Sequence, residues 1–196
     1  MSWLNIFKPK KDYPDFWLNY LQKFKSEKSD VYIAFDCETT GLDPRNDRIL
    51  SIGAVKFTKD RILIKENKEW FVKQTKHSDE SVKIHGILPG ARSKALLTES
   101  EAVKSFLTYA GNAVLVGHHV NFDVAMVNYA LKRLNAGKLK NQQKDTNRLY
   151  KDLGHFAQEQ NFSLDDLCKK YNIKASNRHT ALGDAYITAQ IFQRLI

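Results

Sequence analysis

Cysteine is nearly absent from this 196-residue chain: Cys37 and Cys168 are the only two, and neither belongs to a CxxC or CxxH pair. That spacing argues against a disulfide framework and a thiolate zinc site and suits a reducing compartment, so a cytoplasmic setting is expected. No apolar run approaches the roughly 18 residues needed to cross a membrane, so no membrane partner is expected. The opening MSWLNIFKPKKDYPDF places its charges after a very short apolar patch and lacks the order and length of a secretory signal. Internal repeats and low-complexity tracts are missing too. Acidic charge is in deficit: 22 Asp and Glu face 31 Lys and Arg, for a net charge of +9. Such a balance favours polyanionic partners and makes their binding salt-dependent.

What is present suits one soluble domain with a full core, since 42% of residues are apolar and 27% charged. Residues 1–30 stand apart as a basic, aromatic extension. In it Phe16, Trp17, Tyr20, Leu21 and Phe24 repeat at helical spacing behind Pro14, a residue suited to a helix start. This segment is expected to pack on the domain or to hold a polymerase or other protein partner. Residues 31–196 form the domain proper. Strands are expected at Val31–Phe35, Arg48–Thr58 and Arg61–Val72, the last two joined by a short turn at Lys59 and Asp60. Next come a helix over Thr98–Ala110 with a capping box, a buried strand at Ala113–Gly117 and an amphipathic helix at Phe122–Leu134. A short strand at Gln143–Leu149 and helices at Ser163–Tyr171 and Leu182–Ile196 complete the order. The polar, basic run Asn135–Lys144 reads as a mobile loop. The chain stops with the last helix, so no fused module is expected behind it. Hairpins followed by strand–helix alternation imply an α/β fold, a mixed sheet flanked by helices.

The stretch FDCETTGL ends the first strand with Asp36 and Glu38 on one face and Cys37 on the other. Two like charges side by side repel, so either both are solvated at a strand end or something positive lies between them. Two more acids share the oddity. In FDVAMVNYALKRL the stripe Met126, Val127, Ala130, Leu131, Leu134 extends back to Asp123. In RHTALGDAYITAQIF the stripe Ile187, Thr188, Ile191, Leu195 is headed by Asp184. If Thr180 caps that helix, His179 lies just outside it and overhangs the same end as Asp184. Asp123 also suits a helix dipole, and a lone loop histidine suits a solvated surface. Should the four carboxylates converge, two divalent cations would balance them, and all-oxygen ligands favour Mg2+ or Mn2+. Paired ions about 3.5–4 Å apart serve in-line displacement at phosphorus, so a basic chain with such a centre points to phosphodiester cleavage.

FDCETTGL, GHHVNFDVAM and RHTALGDA, in this order, resemble the three motifs of the DEDDh exonuclease family. Within it they are most similar to the proofreading epsilon type of bacterial DNA polymerase III and its stand-alone relatives. The resemblance covers roughly residues 30–196. It implies a ribonuclease H-like fold and metal-dependent 3′→5′ exonuclease activity that releases nucleoside 5′-monophosphates. It also implies Asp36, Glu38, Asp123 and Asp184 as metal-binding acids and His179 as general base. Through KIHGI it places His85 near the bound nucleotide. Thr39, Gly41, Leu42, Phe122 and His118 take substrate-contacting positions. The extension before residue 31 is outside the family pattern, and no counterpart of the polymerase-binding linker and tail of epsilon is expected. An RNA-trimming exonuclease shares all of this chemistry. An inactive nucleic-acid-binding module would have lost one of the acids or His179, and all five are present.

Overall fold

The computed structural model describes residues 12–25, 30–74, 96–157 and 159–196. Five strands form one mixed sheet in the order β3-β2-β1-β4-β5: β1 Tyr32–Thr39, β2 Ile49–Phe57, β3 Lys68–Phe71, β4 Val114–Gly117 and β5 Gln143–Asp145. β1–β2 and β2–β3 pair antiparallel, whereas β1–β4 and β4–β5 pair parallel. Six α-helices are described: α1 Asp15–Gln22, α2 Glu99–Ala110, α3 Val120–Arg133, α4 Thr146–Gly154, α5 Leu164–Tyr171 and α6 Ala181–Leu195. The expected mixed sheet flanked by helices is therefore the observed architecture. No helix among the described residues is long and apolar enough to cross a membrane.

The central strand β1 buries both faces. Ile33, Phe35 and Cys37 enter one core with α1, α2 and α3, while Ala34 enters a second core under α6. Both stripes read from sequence are interior: Met126, Val127, Ala130 and Leu131 of α3, and Ile187, Thr188, Ile191 and Leu195 of α6. Local capping fixes where helices begin. Thr98 and Glu101 form a reciprocal capping box at α2, Ser163 and Asp166 another at α5, and the Thr180 hydroxyl accepts the Gly183 N–H at α6. Such caps satisfy backbone donors that a helix start otherwise leaves unpaired.

Three expectations need correction. The strand expected over Arg61–Val72 is broken. Ile62 makes an isolated bridge to Phe57, Ile64–Glu66 is a single 3-10 turn, and pairing resumes only at Lys68. The strand expected over Gln143–Leu149 stops at Asp145, whose carboxylate accepts the Arg148 N–H at 3.0 Å and starts α4 instead. The run Asn135–Lys144 is anchored, not loose: Ala136, Leu139 and Asn141 are buried. The Asn141 side chain donates to the carbonyls of Gly111 and Ala113, and the Asn128 side chain accepts the Leu139 N–H at 2.8 Å.

The anchor of that run is α1. The Tyr20 hydroxyl donates to Asn141 Oδ1 at 2.6 Å and accepts the Lys140 N–H at 2.8 Å. A Cβ on Gly137 would strike the Trp17 ring, so only glycine leaves room for it. Trp17 is 1% exposed within the same core as β1. We expect Trp17→Ala to cost about 3–5 kcal/mol, or roughly 10 °C in Tm for a chain of this size. A thermal melt checks this, and a shift under 2–3 °C would mean that α1 rests on the surface.

Candidate active site

β1 extends past the apolar residues, so Asp36 and Glu38 lie within the strand, opposite Gly53 and Ser51 of β2. Strand alternation then does what the sequence suggested: Cys37 is buried in the core, and the two acids share the other face. Asp184, in the first turn of α6, joins them. One carboxylate oxygen from each of Asp36, Glu38 and Asp184 lies within 4.8 Å of the others. Gly53 makes this approach feasible, because a Cβ there would collide with the backbone of Ala181 and Leu182 at the start of α6. The strand thus lets the helix end come down beside Asp36.

Asp123 is adjacent but differently engaged. It is buried in the first turn of α3, and its Oδ1 accepts the Cys37 N–H at 3.0 Å. The four acids therefore assemble as a group of three with a fourth bonded to the β1 backbone between Asp36 and Glu38. α3 is itself held by Asp145, whose Oδ2 accepts the Val120 N–H at 2.7 Å.

The electrostatics are unfavourable for four free carboxylates. Burial, then Asp123, Asp184 and Glu38, hold the Asp36 carboxyl well above the usual range. Burial, then Asp184, pushes Glu38 up to about 7, and burial also raises Asp123. One cation answers part of this charge. Arg178 forms an ion pair with Asp184 Oδ2 and a second at 2.7 Å with Asp165 of α5. Asp184 Oδ1, in contrast, is buried with no hydrogen-bond partner among the described residues. A buried, unpaired oxygen on a carboxylate that converges with two others fits a hard cation, the ligand that all-oxygen sites prefer.

His179 is exposed at a left-handed backbone position, φ 60°, and its N–H donates to Asp184 Oδ2 at 3.3 Å. It thus borders the cluster without being one of the three residues that converge. Thr39 Oγ1 donates to the Gly41 carbonyl at 2.7 Å, which shapes the turn after β1, and Leu42 at its tip is 84% exposed. Phe122 is half-buried at the start of α3. His118 Nδ1 lies 2.9 Å from Thr146 Oγ1, and burial pulls its pKa down to about 4, leaving a neutral ring. His85 lies outside the described residues. Two residues were missed in the sequence. Arg178 neighbours the motif histidine, and its basic charge beside an acidic motif was the available signal. His119 is exposed at φ 60°, packs edge-on to His118 and lines a depression with Phe122.

A pH dependence follows. The folded-state pKa of Glu38 lies above its ordinary 4.5, so the folded protein holds more protons than the unfolded chain up to about pH 7. That contribution is full below the unfolded value and is lost as pH rises through the folded one. Metal-free protein should therefore lose Tm between about pH 5 and 8, and Glu38→Gln should flatten the slope. Equal slopes in wild type and variant would show that Glu38 is not strained in the fold.

Sheet, acid-headed helices and carboxylate cluster together make an α/β scaffold with a candidate site for a hard cation. Comparison with known proteins makes this specific: the exonuclease (RNase T) family profile matches residues 33–192, and the chain belongs to that family. A PolC-type DNA polymerase III of Caldanaerobacter subterraneus subsp. tengcongensis is 36% identical over 170 residues, 84% of this chain but 11% of that protein. The DNA polymerase III subunit epsilon of Buchnera aphidicola subsp. Baizongia pistaciae is 34% identical over 178 residues, covering 85% of this chain and 71% of that subunit. The chain thus spans about a tenth of the length of its PolC-type relatives. Escherichia coli exonuclease I in complex with a dT13 oligonucleotide shares the fold, with a TM-score of 0.73 at 19% identity over 85% of this chain and 41% of that one. The family and fold inferred from the three motifs are borne out.

Proposed function

We propose that this chain is a metal-dependent 3′→5′ exonuclease that removes nucleoside 5′-monophosphates from DNA ends in proofreading or repair, in the cytoplasm. The observation that carries the reading is Asp184, whose carboxylate converges with those of Asp36 and Glu38 and whose Oδ1 is buried and unpartnered among the described residues. Family membership and two relatives named as DNA polymerase III proteins supply the reaction class and favour DNA. Net charge of +9 suits a polyanionic substrate.

Asp36, Glu38 and Asp184 would hold the cations, two Mg2+ or Mn2+ ions, with Asp123 contributing its second oxygen. Bound there, divalent ions supply Lewis acidity toward phosphodiester oxygens and offset the carboxylate repulsion. His179 takes the proton from the attacking water. Its position beside Asp184, outside the cluster, lets it act without being a ligand. Thr39, Gly41, Leu42 and Phe122 enclose the terminal nucleotide, with His118 and His85 as further contacts. Cations held there would share with Arg178 the neutralisation of Asp184.

Matched linear and closed circular single strands, each as DNA and RNA, test the proposal. Linear DNA should be shortened from its 3′ end and circular DNA left intact. Cleavage of the circle would rule out the end requirement, and faster loss of RNA would reassign the substrate.

A further inference from the structure

Along the face of α3 that begins at Phe122, Tyr129 and Lys132 follow at helical spacing. The turn after β1 runs from Thr39 past Leu42 to Arg45 and Arg48. Both elements lead from the carboxylate cluster to one depression of about 720 Å³, lined by Arg45, Arg48, Tyr129, Lys132 and Arg133. Among the described residues that line it, four of five are cations and none is a carboxylate.

The patch is organised around its aromatic ring. Arg45 Nε donates to the Tyr129 hydroxyl at 3.2 Å, and Lys132 Nζ sits 5.8 Å from the ring centroid. Arg48 donates to the carbonyls of Asn46 and Asp47, which fixes its guanidinium on the turn. Of the nearby carboxylates, Glu99 pairs with Arg133 and offsets its charge, Asp47 accepts from Thr40 and from the Asp43 N–H, and Asp43 accepts from the Arg45 backbone N–H and from Asn46, which leaves the side chains of Arg45, Arg48 and Lys132 as the charge of the patch. Positive charge interleaved with an aromatic ring is the chemistry that tracks a single nucleic-acid strand.

We propose that this depression binds the phosphate backbone of the substrate strand a few nucleotides upstream of its 3′ end, with Tyr129 offering a face to one base. The inference rests on the exonuclease reading of the adjacent site. Asp123 and Lys132 are separated by about 13 Å along α3 at roughly 1.5 Å per residue. That is about four nucleotides at the ~3.4 Å rise of a helical strand, and fewer for a stretched one. Arg45, Arg48 and Lys132 set how strongly a strand longer than a dinucleotide is held, and they take no part in bond cleavage.

The test compares wild type with the double variant Arg45→Gln, Lys132→Gln. Both positions are exposed and outside the carboxylate site. The p-nitrophenyl ester of thymidine 5′-monophosphate, which is too short to reach the patch, should be hydrolysed equally by both. On a single-stranded dodecamer the variant should show KM raised roughly tenfold. Its log–log salt slope for dodecamer binding, measured by anisotropy with chelator present, should fall by about 1.4, at ~0.7 per phosphate contact. An unchanged slope and unchanged KM in the variant would overturn the proposal, as would equal loss on the short ester. If wild type bound the dodecamer with the steeper slope yet cleaved neither substrate, the patch would stand and the exonuclease reading would fall.

Discussion

Asp36→Asn is expected to abolish turnover while leaving the metal-free protein at least as stable as wild type. The two effects share one cause. Asp36 is held well above the usual carboxylate range by burial and by three neighbouring acids, so without cations its charge opposes folding. Asparagine keeps the shape and removes that charge. Metal-free Tm should then hold or rise by about 2–4 °C, as for a gain near 1 kcal/mol. Loss of one ligand removes several kcal/mol of transition-state charge stabilisation, a fall of about 10³-fold or more in kcat. Mg2+ should raise the Tm of wild type by mass action and that of the variant less. Asp184→Asn is the less clean probe, because it also breaks the ion pair with Arg178. Equal metal-induced shifts in wild type and Asp36→Asn would remove Asp36 from the site.

His179→Ala should lower kcat by about 10²–10⁴-fold, the usual share of positioned proton transfer. Metal affinity should change little, because the contact of His179 with Asp184 is made by its backbone N–H, which alanine retains. Residue 179 has φ 60°, a conformation that asparagine tolerates better than alanine, so His179→Asn separates loss of the base from backbone strain. Near-wild-type kcat in both variants would transfer the role of base to another group.

The parts of this fold that were legible in the sequence are those written locally. Capping boxes at Thr98 and Ser163 sit where helices begin, and the stripes that end in Asp123 and Asp184 face inward. Alternation alone placed Asp36 and Glu38 on one face. What escaped depends on distant partners. Asn135–Lys144 is polar by composition, yet Asn141 is buried because Tyr20, 121 residues away, donates to its side chain. Asp145 reads as part of a strand until its carboxylate is seen capping both α3 and α4. The contact of Asp123 with the Cys37 N–H, and of Arg178 with both Asp184 and Asp165, requires tertiary neighbours that no spacing rule supplies.

Product analysis on a 5′-labelled linear single-stranded DNA, with Mg2+ or with chelator, tests the central claim most directly. With Mg2+, wild type should give a ladder shortening from the 3′ end and release nucleoside 5′-monophosphates. Chelator or Asp36→Asn should leave the strand whole. Equal cleavage in chelator, or internal cuts that release oligonucleotides, would contradict a cation-dependent, end-directed carboxylate site.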